Sequence, residues 1–309
     1  MITIFKTGET GLIELPEPTK GSWINVVNPT PEEIKQLQES GIPLDYLIYP
    51  LDLDERARTE REDGEVLIVL RIPCYQGQGA DIPYATIPLG IILDERYLVT
   101  VCKQDNQLLQ EYTQGRVKAL STSKRNRFVL RILLTTANKY LTYLRDITRA
   151  VDILEDQLQL STRNREVLEL LKYQKSLTLF TTALKSNELM MERLQRSRLF
   201  QAYEEDEDLL EDVLTENQQA IEMTNITSNI LSSMMDAFAS IISNNLNAVM
   251  KFLASITIVL SLPTMIASFF GMNVHIPFED HWYAFLLIIL ISLAISSTVV
   301  YYFWKRDWF

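Results

Sequence analysis

Ala248–Asn273 reads AVMKFLASITIVLSLPTMIASFFGMN. Its first 22 residues, Ala248 to Phe269, are almost all apolar or small. The one charge, Lys251, falls in the first turn, where its stem can carry the ammonium to an interface. About 20 apolar residues cross a bilayer as a helix. A second run of 22, Tyr283 to Trp304, has no charge at all. Two core helices of a soluble domain would not share this length and polarity, so the sequence predicts a membrane hairpin. Its parts are a first span at 248–270, a loop at 271–282, a second span at 283–304 and a basic tail at 305–309.

The flanks orient the hairpin. Lys305 and Arg306 follow the second span, whereas the loop has no Lys or Arg and carries Glu279 and Asp280. The positive-inside rule then places both termini in the cytosol and the loop outside. Trp282, Tyr283, Tyr301, Tyr302, Trp304 and Trp308 stand where an interfacial aromatic belt is expected.

The first span has two characters. Asn247, Met250, Ala254, Thr257, Ser261, Thr264 and Ser268 recur every three or four residues and share one helix face. Phe252, Ile256, Ile258, Val259, Leu260, Leu262, Ile266 and Phe269 cover the rest. Small residues permit close helix packing, and the same stripe suits a wetted wall; periodicity leaves both readings open. Pro263 removes one backbone donor and predicts a bend. Two spans cannot enclose a pore, so a pore-lining stripe requires several copies around an axis.

Upstream, the chain changes texture. Residues before Arg116 contain nine of the ten glycines and nine of the eleven prolines. SWINVV (Ser22–Val27) reads as a strand, and Thr30-Pro31-Glu32-Glu33 as a capping box opening a helix of about ten residues. EVLIVLRIPCY (Glu65–Tyr75) is a strand, and IPLGIILDERYLVTVCK holds two, turning near Asp94-Glu95-Arg96. An α/β domain follows. From Arg116 to Leu262 there is neither glycine nor proline, which predicts long helices. Tyr140, Leu144, Ile147, Val151, Leu154 and Leu158 keep a 4-3 spacing, and Leu168, Leu171, Lys175 and Leu179 form a less regular second run. Breaks are expected near Ser161–Asn164 and near Tyr203–Asp208. One helix of some 60 residues, roughly 90 Å, then runs from about Asp208 to Phe269.

The formal net charge is −11 and the sequence pI about 4.8. That balance argues against nucleic acid as a partner and suits attraction of cations. The two cysteines, Cys74 and Cys102, fit no metal or disulfide framework and read as reduced thiols. The acidic run Glu204 to Asp208, with Glu211 and Asp212, reads either as a helix start that complements the dipole or as a low-affinity Mg²⁺ or Ca²⁺ site. No Walker, GxSxG, HExxH or dinucleotide motif is present, so no enzyme and no organic cofactor are expected.

At Gly271-Met272-Asn273 the sequence resembles the CorA-type magnesium/cobalt transporters. NAVMKFL (Asn247–Leu253), WINVVNPTPEEI and LDLDERARTEREDGEVLIVLR extend the resemblance over most of the chain. It implies an α+β multidomain membrane protein: an N-terminal αβα cytosolic domain at 1–120, a long-helix funnel at 121–247 and the two spans, assembled as a homopentamer in a bacterial cell membrane. It implies Mg²⁺ as cargo and as regulator, with other copies of the chain, the lipid bilayer and divalent cations as partners. Gly271, Met272 and Asn273 would form the selectivity filter, with Gly271 allowing a close turn. Asp236, Asn247, Met250, Leu253, Thr257, Ser261, Thr264 and Ser268 would line the pore, Leu253 taking the place that periodicity gave Ala254. Glu279 and Asp280 would gather cations at the outer mouth. Asp212, with Glu211 and Asp208, would sense cytosolic Mg²⁺, with Asp81 and Asp63 as candidate partners from a neighbour. Phe270 stands where the family commonly has Tyr, and Val274–Asp280 replaces its Met-Pro-Glu loop. His275 and His281 keep a Zn²⁺, Co²⁺ or Ni²⁺ transporter as an alternative, and a non-conducting membrane-anchored coiled-coil scaffold is a second.

Overall fold

The computed structural model describes residues 1–8, 11–62, 64–117, 120–160, 164–200, 203–272, 282–306 and 308. The chain divides into two compact units, Met1–Met235 and Asp236–Phe309.

The first unit is built on a seven-stranded sheet. Its strands are β1 (Ile2–Gly8), β2 (Gly11–Leu15), β3 (Trp23–Val27), β4 (Arg58–Glu62), β5 (Glu65–Tyr75), β6 (Tyr84–Leu93) and β7 (Leu98–Cys102), in the order β2-β1-β3-β7-β6-β5-β4. β3 runs parallel to β7, and the other five pairings are antiparallel. β3, β5, β6 and β7 match the sequence reading. β1, β2 and β4 escaped it: β1 is half-buried throughout and β4 reads RTERE, so neither shows the apolar alternation of a core strand.

Strand parity sorts the core into two layers, because alternate side chains leave opposite faces. Val66, Ile68, Leu70, Ile72, Leu89, Ile91 and Leu98 enter one cluster, while Leu67, Val69, Ile92, Val99 and Val101 enter the other. The second cluster is covered by α1 (Pro31–Glu39) and α2 (Leu44–Ile48) through Leu37, Tyr46 and Leu47. The expected capping box is present: the Glu33 amide donates to Thr30 Oγ1 at 3.3 Å and the Thr30 amide donates to Glu33 Oε2 at 2.9 Å. A 3₁₀ turn, Tyr49–Leu51, presses Pro50 onto β6 at Gly90.

The other face is covered by α3 (Gln107–Thr113), α4 (Arg125–Leu160), α5 (Asn164–Arg196) and the start of α6 (Glu204–Phe270). α4 buries Tyr140, Leu144, Ile147, Val151 and Leu158, as its 4-3 spacing predicts. The second run is corrected. Leu168 and Leu171 are exposed, and α5 instead buries Leu170, Tyr173, Leu177, Phe180, Leu184, Asn187, Met191 and Leu194 at alternating steps of three and four. The repeat was hidden because Tyr173 and Asn187 occupy seam positions. Asn187 earns its burial by clamping the backbone of Arg71: the Arg71 amide donates to Asn187 Oδ1 at 2.9 Å, and Asn187 Nδ2 donates to the Arg71 carbonyl at 2.8 Å. The break between α5 and α6 also lies earlier than expected. α5 ends at Arg196, and α6 begins at Glu204 with four acids in its first turn.

The second unit holds the remainder of α6 and α7 (Ala284–Lys305). Both helices are long and apolar enough to cross a membrane. α6 continues through Pro263 as one helix, at the position where the sequence predicts a bend.

Candidate functional site

The two faces of α6 in the second unit have different neighbours. Ser255 is fully buried, and Ile256, Val259, Leu262, Pro263 and Ile266 are half-buried. On α7, Ser292, Ser296 and Phe303 are buried at four- and seven-residue steps. A shallow apolar cavity of about 430 Å³, lined by Ile256, Val259, Leu260, Val300 and Trp304, lies where the helices meet. α7 therefore packs on the face of α6 marked by Ser255, Val259, Leu262 and Ile266.

The polar stripe is elsewhere. Asn247, Thr257, Ser261, Thr264 and Ser268 are exposed, as are Met250 at 56% and Leu253 at 57%. At 100° per residue the stripe centre lies roughly 150° from the face that α7 covers. Packing against the second span of the same chain is thus not what the small residues serve. Ala254 is exposed as well, between Met250 and Ser261. Upstream, Asp236 is exposed and lies on a similar face. Ser240 and Ser243, which the sequence reading passed over, fill the interval to Asn247. Their signal was the same period, continued past the apolar boundary.

Three hydroxyls of the stripe donate to their own helix. Thr257 Oγ1 donates to the Leu253 carbonyl at 2.8 Å, Ser261 Oγ to Ile258 at 2.9 Å and Thr264 Oγ1 to Leu260 at 3.2 Å. Each hydroxyl proton is spent on the helix backbone. The oxygen lone pairs are left as acceptors along the exposed face. Such a surface receives hydrogen bonds from water, including the shell of a hydrated cation. Met250 and Leu253 interrupt it with an apolar band near the Asn247 end.

At the other end, the Gly271 amide donates to the carbonyls of Ala267 and Ser268 at 3.0 and 3.2 Å, and the Met272 amide to Phe269 at 3.4 Å. Gly271 is not in the left-handed region, and a Cβ there would meet the Ala267 carbonyl at 3.4 Å. Met272 is 55% exposed. Asn273, Glu279, Asp280, His275 and His281 lie outside the described residues.

The acidic run at the start of α6 splits into two groups. Asp206 is buried and accepts from Arg127 Nε at 2.7 Å, and Glu205 accepts from Arg127 Nη2 at 2.7 Å. This ties the beginning of α6 to α4. Asp208, Glu211 and Asp212 are exposed on one side of the helix. Among the described residues, no group of three or more His, Cys, Asp or Glu is placed to hold a metal ion within one chain. Asp81 is exposed and accepts from Lys175 Nζ at 2.8 Å, which holds its carboxyl below the usual range. Asp63 lies outside the described residues.

The chain aligns along its whole length with the "Cobalt/magnesium transport protein CorA" of Methanocaldococcus jannaschii, at 28% identity over 327 positions and 100% of both chains. A "Magnesium transport protein CorA" of Helicobacter pylori is 32% identical over 97 residues, 31% of this chain and 30% of that one. The solved structure of the complete CorA magnesium transporter from Methanocaldococcus jannaschii superposes with a TM-score of 0.87 at 24% identity. It covers 100% of this chain and 99% of that one, so the whole fold is shared. The family model described as "CorA-like Mg2+ transporter protein" matches residues 19–306, and the chain belongs to that family.

Proposed function

We propose that this chain forms a homopentameric channel through which Mg²⁺, and with it Co²⁺, enters the cell down the membrane potential. The observation that carries the reading is the exposed stripe of acceptor oxygens on α6, opposite the face that α7 covers. Five such stripes around an axis make a wall for a hydrated divalent ion. Mg²⁺ parts with its water reluctantly, so second-sphere acceptors suit it better than a dry cage.

In this reading residues 1–120 and 121–247 are the cytosolic domain and funnel. Residues 248–270 and 283–304 span the bilayer, 271–282 is the outer loop and 305–309 the cytosolic tail. Gly271, Met272 and Asn273 form the outer filter, and five neutral Asn273 amides accept from the ion's water without trapping it. Glu279 and Asp280 concentrate cations outside. Met250 and Leu253 close the pore by dewetting. Asp236, Asn247, Thr257, Ser261, Thr264 and Ser268 line the remainder. A divalent ion gains about 4.6 kcal/mol per 100 mV of inside-negative potential, and no other energy source is required. Asp212, supported by Glu211 and Asp208, binds cytosolic Mg²⁺ between subunits and favours the closed state.

The test is dye-reported Mg²⁺ uptake into proteoliposomes held inside-negative, comparing the wild type with Asn273→Ala. Uptake in the wild type and its loss in the variant are expected. Equal uptake in both would remove Asn273 from the filter, and no uptake in either, with correctly inserted protein, would overturn the channel.

A further inference from the structure

We infer that a cleft on the Met1–Met235 unit is a binding site for small polyphosphate anions. The cleft has a volume of about 640 Å³ and opens between the segment before β4 and the exposed side of α5. Small-ligand sites commonly occupy about 300–1,000 Å³. Four cationic side chains line it: Arg56, Arg71, Lys185 and Arg193. Arg71 is fixed at the base. Its guanidinium donates to the Leu53 and Glu55 carbonyls at 2.6 and 3.0 Å, and to the carbonyl and hydroxyl of Thr86 at 2.9 and 2.8 Å. None of these acceptors neutralises its charge. Arg56, Lys185 and Arg193 have no carboxylate partner among the described residues. Of the two carboxylates in the lining, Glu55 is engaged by Arg58 Nε at 3.0 Å, and Asp54 has no ion-pair partner among the described residues.

This arrangement runs against the composition of the chain. A protein of net charge −11 has carboxylates in excess, yet four cationic side chains and only two acidic ones line this cleft. A bound anion offsets that local excess of positive charge. With its four Nη hydrogens so engaged, Arg71 contributes charge alone; the forks of Arg56 and Arg193 match phosphate oxygens in pairs, and Lys185 supplies a point charge. Lys185, Leu189 and Arg193 follow at steps of four along one edge of α5. Leu189, 59% exposed, and the half-buried Leu179 give the cleft an apolar wall beside the cations. A phosphate chain satisfies the charges, and a nucleobase attached to it has a surface to lie on. All lining residues precede Met235, so the inference does not rest on the transport reading.

The experiment is isothermal titration of the full chain, in nanodiscs of zwitterionic lipid with EDTA present, against sodium tripolyphosphate and separately against ATP. Saturable binding of one anion per chain is expected. R56Q/K185Q/R193Q should weaken it by about tenfold or more, since each lost contact is a charge-assisted hydrogen bond. The charge-matched control K20Q/K35Q/K103Q, on exposed residues away from the cleft, should change it by less than about twofold. If the triple variant fails to fold, R193Q alone carries the test with a loss of about threefold. ATP binding more tightly than tripolyphosphate upholds the site and assigns the apolar wall to the base; equal affinities uphold it for the phosphate chain. No saturable heat at millimolar anion, or equal loss in variant and control, overturns it. So does a wild type that takes neither anion while the triple variant loses oligomeric mass, which would give the cleft to an acidic segment of a second copy.

Discussion

Gly90 is buried in β6, and a Cβ built on it would lie 2.2 Å from Pro50 Cγ. The obstacle is a ring tied into a turn, not the end of a flexible side chain. Gly90→Ala should therefore destabilise the first unit by about 1–3 kcal/mol, the usual cost of overpacking, read as a lowered thermal midpoint. A second residue-scale expectation concerns pH. Lys175 depresses the Asp81 carboxyl, first through their hydrogen bond and then through its charge. A depressed carboxylate contributes above its unfolded value, about 3.9, and its contribution is lost as pH falls through the folded value. The pair thus stays formed throughout the neutral range, and a cation seeking Asp81 must displace an ammonium. Lys175→Gln should return the Asp81 titration toward the ordinary carboxylate range, which carboxyl carbon shifts followed against pH would report. An unchanged midpoint would show that the ion pair does not set it.

Among the elements, α6 carries the sharpest contrast between its faces. Bulk on the exposed stripe should obstruct conduction without disturbing the packing of α7. Ser261→Leu is expected to lower Mg²⁺ uptake at least about tenfold while leaving the thermal midpoint within about 2 °C. The range rests on surface substitutions usually staying within about 0.5 kcal/mol. Full uptake in Ser261→Leu would remove this face from the ion's path. Much of this was legible in the sequence. The period of Thr257, Ser261, Thr264 and Ser268 identified the stripe, and the capping box at Thr30 and Glu33 identified the start of α1 to the residue. What could not be read was which face α7 would cover, because apolar residues surround the rest of the helix and any of them could meet a neighbour. The charged edge strand β4 and the heptad of α5 were hidden for a related reason. Their positions are set by partners in space, Val66–Val69 for β4 and the Arg71 backbone for Asn187, rather than by their own pattern.

At the scale of the whole molecule, the regulatory reading places acids of one chain beside acids of another. Asp208, Glu211 and Asp212 are exposed, while Asp206 and Glu205 are committed to Arg127. Removing one carboxylate from a site shared between subunits weakens cation binding there without touching the pore. Asp212→Ala should raise the internal Mg²⁺ concentration needed to suppress uptake, by about tenfold if one charged ligand contributes about 1.4 kcal/mol. Unchanged inhibition would place the sensor elsewhere. The order of the strands also bears on how the molecule is made. β7, which joins the two halves of the sheet through β3 and β6, ends at Cys102. A chain grows from its N-terminus, so every strand has been synthesised well before Ala248 is added. The sheet, complete at Cys102, can close while the greasiest part of the chain has yet to exist. The nascent protein thus has the means to settle its sheet before its apolar helices are made, and a lesion such as Gly90→Ala would be felt first on the ribosome, as a folding delay ahead of insertion.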